Sequence, residues 1–364
     1  MTSTRGGTAG TDGTGAADGR GALRAYIGSF TTAGGRGVLA ADVDGRTGAL
    51  TVTGASDAVA NPSYLALAGA VLHAVSETGD GAVAAFDVTG PAPRPLGAPV
   101  PVGGADPTHL ALAAGHLLAA NYSSGSVTVL PLAGDGTARP AAAPLRHEGS
   151  GPVADRQGGP HAHQVLPDPT GRWVLSVDLG TDSVRICALD PATGALTVHG
   201  ETALRPGTGP RHLAFHPDGR HAYVLGELEP TLTVCRWDAG TGFLEPVGEL
   251  PVVPEGLPDG PRYPSEVVVA PDGRFLWVAV RGDDTLAVLA LDADGTRAAH
   301  VATVPCGGHW PRDLALDPTG RRLYAANERS GDVTWFDIDW ETGIPVRAGS
   351  VEAPAASCVV FGRR

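Results

Sequence analysis

The chain contains no lysine: all 26 of its basic residues are arginine. Schiff-base chemistry and lysine-dependent phosphate loops are therefore excluded. Cysteine is scarce as well. Cys187, Cys235, Cys306 and Cys358 lie far apart and form no Cys-x-x-Cys pair. They read as buried free thiols in a reducing compartment rather than as redox or metal centres. Aromatic residues make up only 5%, few for a surface that docks other proteins. No hydrophobic run reaches transmembrane length, and helical periodicity is absent. Residues 1–22 are mostly Gly, Thr, Ala, Ser and Asp. They lack a signal-peptide core and are expected to form a disordered tail, and the protein is expected to be cytoplasmic.

What is present points to many tight turns. The 364 residues include 52 glycines and 31 prolines, and 42% are hydrophobic, enough for a sizeable core. The net charge of −13 argues against nucleic-acid and acidic-membrane binding. An anionic small molecule remains open as a partner if arginines cluster locally.

Turn signals recur at Asp168-Pro-Thr-Gly-Arg172, His216-Pro-Asp-Gly-Arg220, Ala270-Pro-Asp-Gly-Arg274 and Asp317-Pro-Thr-Gly-Arg321. The prolines are 48, 54 and 47 residues apart, a period that means stacked supersecondary units. Each turn joins two short apolar strands, and a second hairpin follows. Openings of first strands number seven, at Pro62, Pro107, Pro160, Pro210, Pro264, Pro311 and Pro354. The chain starts at a second strand, around Tyr26, and ends at a first strand, Ser357 to Phe361. The two ends must therefore complete one sheet between them. This predicts an all-β, seven-bladed β-propeller with four-stranded antiparallel blades, one domain over residues 23–364, closed by a blade that the terminal strands share.

In such a ring, first-strand starts and second-strand ends meet at one tunnel mouth. Read in order, these slots include Tyr64 with Glu77, His109 with Asn121, His161 and His163 with Asp178, Arg211 with Glu227, Glu266 with Arg281, and Arg312 with Asn327 and Glu328. This rim is the default site. Arg211–Glu227, Glu266–Arg281 and Arg312–Glu328 can equally be ion pairs that brace the blades, and Asp178 and Asn121 can cap loops. His161 and His163 have the spacing of metal ligands on one strand face, but no third ligand is specified, so no metal and no cofactor are expected. A loop from Leu145 to Gly159, carrying His147, Glu148 and Arg156, can overhang the mouth as a lid.

At these residues the chain resembles the seven-bladed propeller lactonases, which include propeller-type 6-phosphogluconolactonases and fungal carboxy-cis,cis-muconate cyclases. The resemblance is carried by Asn61-Pro-Ser-Tyr-Leu, Ala120-Asn-Tyr-Ser-Ser-Gly, Arg156-Gln-Gly-Gly-Pro-His-Ala-His163, Gly207-Thr-Gly-Pro-Arg-His-Leu, Glu227-Leu, Arg281-Gly, Pro311-Arg-Asp and Ala325-Ala-Asn327, in order along the chain. It implies a catalytic set of His161, Arg211, Glu227 and Arg281. Gly226, Ser265-Glu266-Val267 and Val280 depart from the residues that relatives usually have there. The resemblance implies hydrolysis of an anionic sugar lactone; the rim slots would then set His109, Asn121, His163, Asp178, Glu266, Arg312, Asn327 and Glu328 around the substrate. A lactone-forming cycloisomerase and a non-catalytic binding propeller are the alternatives. Either His161 or Glu227 would be the base. Arg211 should lower the pKa of Glu227 and so favour His161. Whether the protein is a monomer or a dimer is left open.

Overall fold

A computed structural model of the protein describes residues 23–254, 256 and 260–363; the expected tail lies outside the described residues. Seven sheets stand around a central tunnel, each with at least four strands in antiparallel order from the axis outward. One short 3₁₀ turn, Thr31–Ala33, is the sole helix among the described residues. The hairpin read first from sequence is present as strands Pro210–Phe215 and His221–Gly226. Thr231–Asp238 and Phe243–Pro251 complete that blade. A second blade carries an additional short pairing: both Arg94–Pro95 and Val100–Pro101 lie against Ala82–Asp87.

Burial follows the radial order. The second strands His221–Gly226 and Arg322–Asn327 are buried at every position. The outermost strand Leu196–Ala203 is exposed at most of its positions. Apolar residues of adjacent blades interdigitate, as where Leu175 and Ile186 meet Leu213, Val224 and Trp237. A polar staple recurs between several adjacent blades. Tyr223 Oη donates to Gly295 O at 2.9 Å, Trp277 Nε1 to Gly343 O at 2.8 Å and Tyr324 Oη to Gly48 O at 2.8 Å. A buried aromatic thus satisfies its polar tip on the next blade's outer turn.

The ring closes as the terminal strands require. Ala356–Arg363 is the innermost strand of the closing blade and pairs antiparallel with Leu23–Ser29, which leads on to Val38–Val43 and Leu50–Ser56. The pairing completes the closing blade with an inner strand that its own N-terminal segment lacks.

Six of the seven inner strands carry a register shift at the same end. Pairing skips Thr108, His163, Arg211, Arg312 and Ser357, and at Pro264/Val267 it skips Ser265 and Glu266 against one residue opposite. Each is a β-bulge, which leaves an extra residue unpaired and re-aims its side chain. In four of these strands a skipped residue directly follows the strand-opening proline. Thr108, His163, Arg211, Glu266, Arg312 and Ser357 all line one narrow cavity on the axis, with Ser63, Tyr64, Glu77, His212 and Asp313. The bulges therefore build the tunnel wall.

Closure by the last strand makes a truncation diagnostic. Removing residues 353–364 would strip the inner strand from one blade and expose Ile27, Leu39 and their apolar neighbours. The truncated chain is expected to unfold or aggregate, and a cooperative melt near that of the full chain would overturn the closure argument.

Candidate active site

The mouth is organised by Glu227, which follows the strand His221–Gly226 and is buried. Three guanidiniums surround its carboxylate. Arg156 Nη2 donates to Oε1 at 2.6 Å. Arg281 Nη2 lies 2.9 Å from Oε2. Arg211 Nε lies 3.2 Å from Oε2 but is not aligned to donate, so that contact is Coulombic. Burial by itself would raise the Glu227 pKa; the fields of Arg281 and Arg211 and the bond from Arg156 outweigh it and hold the value at about 2. Burial, together with neighbouring Arg281, pulls Arg211 down to about 10, still cationic at neutral pH.

Arg211 and Arg281 are fixed by carbonyls. Arg211 Nη1 donates to Ser265 O, and Arg281 Nε donates to Tyr263 O at 3.0 Å. The Arg281 guanidinium also lies 5.6 Å from the ring centre of Trp310. The expected Glu266–Arg281 pair does not form. The bulge at Pro264/Val267 turns Glu266 to the tunnel, where it meets His212 Nδ1 at 2.7 Å, while Arg281 reaches across to the neighbouring blade's Glu227. The other two expected pairs are present: Arg211–Glu227, and Arg312–Glu328 at 3.1 Å. Arg312 also lies 3.9 Å from Glu77 and stands over the Phe30 ring.

His161 sits at the edge of this group, just before the strand Ala162–Pro167, with its ring stacked on Tyr122 at 4.4 Å. Its Nδ1 lies 3.0 Å from Tyr122 O. A carbonyl oxygen only accepts, so Nδ1 carries a hydrogen, and in the neutral ring the lone pair lies on Nε2. Nε2 has no hydrogen-bond partner among the described residues. His163, two positions on, points down the tunnel instead, because the bulge at Ala162/Gln164 separates the two side chains. The pair thus fails to converge as metal ligands. Among the described residues the one trio with metal-ligating atoms close together is His216, Asp218 and His221, at the hairpin turn on the far side of the ring.

Beneath the mouth lies a buried polar tunnel. His109 packs on Tyr64 at 4.1 Å, and His109 and His163 meet His212 edge-on at 5.4 and 5.2 Å. Burial, reinforced by His212 or Arg211 nearby, pushes all three histidines well below the usual imidazole range, so they are neutral. Burial also lifts Glu266 to about 7 and raises Asp313 well above the carboxylate range. Two adjacent carboxyl groups there share a proton rather than both ionising.

Three residues expected at the rim are structural. Asp178 is fully buried, with Oδ1 accepting from the N–H of His161, Gly180 and Thr181 and Oδ2 at 2.6 Å from His147 Nδ1. Asn121 donates to Ser126 Oγ and Thr128 Oγ1, and Asn327 to Thr334 Oγ1; both are fully buried within their own blades. Their side chains turn into the blade, where short polar partners satisfy them, and leave the mouth to their neighbours.

Sequence reasoning left out Arg156, Tyr122, Tyr263 and Trp310 as site residues. The signal for Arg156 was its place in the Arg-Gln-Gly-Gly-Pro-His-Ala-His run. Gln157 is the reason for that pattern. Its buried amide donates to Leu179 O and Asp182 Oδ1, both at 2.8 Å, and its oxygen accepts from Val153 N. His147 pins the same loop through Asp178. Gly180 completes the seat, since a Cβ there would overlap the Gly159 carbonyl. The loop is therefore an anchored arm that carries Arg156 to Glu227, rather than a lid.

Comparison with known proteins agrees with the fold. Residues 24–361 match the family model described as "Lactonase, 7-bladed beta-propeller". The 6-phosphogluconolactonase of Bacillus subtilis is 32% identical over 344 residues, covering 92% of this chain and 97% of that protein. A solved protein from Lactobacillus plantarum superposes with a TM-score of 0.88 at 29% identity, over 94% of this chain and all of that one. The periplasmic gluconolactonase of Pseudomonas aeruginosa superposes with a TM-score of 0.85 at 28% identity, over 93% and 98% of the two chains.

The Glu227 field predicts an acid-dependent stability. Its folded pKa, about 2, lies below the ordinary 4.5, so its stabilising effect is complete above about pH 4.5 and is lost as pH falls towards 2. Glu227→Gln should cost on the order of 3 kcal/mol at pH 7, by leaving three guanidiniums without their anion. Denaturant titrations should show the gap to wild type narrowing below pH 4.5. A gap independent of pH would contradict the cluster.

Proposed function

The chain belongs to the seven-bladed β-propeller lactonase family, and on that premise we propose that it is a metal-independent lactonase. Its substrate is 6-phosphogluconolactone or a related aldonolactone, opened at the tunnel mouth. The observation that carries this reading is the set of guanidiniums held by one buried carboxylate beside an imidazole whose Nε2 is free to accept a proton.

Lactone opening needs a water nucleophile, a base for its proton and donors for the developing oxyanion. His161 Nε2 takes the proton as water attacks the carbonyl carbon. Its Nδ1–H bond to Tyr122 O holds the ring in the required tautomer. Arg211 and Arg281 polarise the carbonyl and stabilise the oxyanion. When the tetrahedral intermediate collapses, the ring C–O bond breaks and the alkoxide leaving group takes the proton back from His161. Glu227 is too weak a base for this work, with its pKa held at about 2. Its role is to keep the arginines together in a buried place where their mutual repulsion would otherwise splay them.

The hydrolytic direction, rather than lactone formation, is supported by the names of the relatives. Metal independence is supported by the make-up of the mouth: its core is one carboxylate against three arginines, the reverse of what a cation site needs. An acidic protein can bind an anionic substrate here because the positive charge is concentrated locally.

Two measurements test this reading. Arg211→Met should cost about 2–4 kcal/mol of transition-state stabilisation, and His161→Gln should lower kcat by about 10²–10⁴, both without loss of the folded state. Steady-state rates, corrected for spontaneous lactone opening, would show it; normal turnover in both variants rejects the assignment. Activity should also survive exhaustive chelation, and its loss together with rescue by added metal would refute the metal-independent mechanism.

A further inference from the structure

Arg156 differs from the two arginines behind it. The side chains of Arg211 and Arg281 are 4% and 7% exposed, whereas that of Arg156 is 36% exposed. Arg211 spends Nη1 on Ser265 O, and Arg281 spends Nε and Nη2 on Tyr263 O, Pro264 O and Glu227. Arg156 reaches Glu227 and the Tyr122 hydroxyl through Nη2 alone. Its Nε and Nη1 have no protein partner among the described residues. One face of its guanidinium is thus held against the cluster and the other is free.

Charge points the same way. Three cations against one carboxylate leave two units of positive charge on this side of the mouth. Across the mouth, Arg312 is already matched by Glu328 and Glu77. A neutral lactone would leave the excess uncompensated. A phosphate monoester carries about −1.5 to −2 at neutral pH and offers three strong acceptor oxygens, which suits a guanidinium with free N–H groups. Because Gln157 anchors the backbone next to Arg156, little ordering is left to be done on binding.

Resting on the lactonase reading above, we propose that Arg156 is the subsite for a phosphate monoester on the lactone, at the end remote from the reacting carbonyl. It thereby sets the preference for phosphorylated over neutral lactones. The deep pair, Arg211 and Arg281, serves the carbonyl, and the outer arginine reads the phosphate. The Tyr122 hydroxyl, 3.4 Å from Arg156 Nη2, is a second donor at the same place.

The test compares 6-phosphogluconolactone with glucono-δ-lactone on the full-length wild type, Arg156→Gln and Arg156→Lys. Loss of a charge-assisted contact to phosphate should lower the preference ratio, phosphorylated over neutral kcat/KM, by about tenfold to a hundredfold in Arg156→Gln. The loss should appear in KM more than in kcat, and Arg156→Lys should recover part of it. Equal losses on both lactones would reduce Arg156 to a brace for Glu227 and overturn the proposal, as would an unchanged ratio. Calorimetric binding of 6-phosphogluconate against gluconate separates the two readings. If the wild type opens neither lactone, the lactonase reading fails. If it binds the two acids equally, or if Arg156→Gln keeps the difference, the phosphate subsite fails.

Discussion

A sheet of four strands has two edges, and a chain of such sheets can be stable and soluble only when its ends are dealt with. Here the last strand, Ala356–Arg363, takes the inner place in the blade begun by Leu23–Ser29. Everything at the mouth depends on that pairing. Glu227 comes from one blade, Arg281 from the next and Arg156 from a loop 71 residues earlier. They meet because the ring brings each blade's inner end to one axis. No local propensity could assemble them, and no single blade contains the site.

Desolvation sets the terms of the chemistry. A buried carboxylate is expected to be hard to ionise, and Glu266 and Asp313 behave that way in the tunnel. Glu227 is equally buried, yet its pKa is pushed down, because three guanidiniums supply more Coulombic stabilisation than burial removes. The two carboxyl environments lie close together and run in opposite directions. One keeps a fixed negative charge that gathers the arginines; the other keeps a proton and leaves the tunnel histidines neutral. On the proposed mechanism the base is therefore His161, whose Nδ1–H is held by the Tyr122 carbonyl.

The bulges link fold to site. In a regular strand, neighbouring residues alternate between faces, and a strand edge could present only every second residue to the axis. An extra residue at the mouth end of six inner strands breaks that rule. It adds Thr108, His163, Arg211, Glu266, Arg312 and Ser357 to a tunnel wall that also holds His212 and Asp313. The same device accounts for Glu266, which turns to the tunnel below and so frees Arg281 for Glu227.

The amino-acid sequence by itself determined the architecture. Proline-glycine turns at a fixed period, seven first strands and an offset between the two termini leave a closed seven-bladed ring as the consistent solution, because turn chemistry and strand alternation are local. It also placed Arg211 and Glu227 at one end of one hairpin, since antiparallel pairing follows from the turn. Only the tertiary structure decided which charges touch. Arg281 pairs across blades rather than with Glu266, and Asp178, Asn121 and Asn327 turn inward to hold loops and blade edges. Arg156 enters the site from a loop whose anchor is the buried Gln157. These outcomes depend on bulge register and on distances between blades, and those are set by packing around a closed ring rather than by any stretch of neighbouring residues.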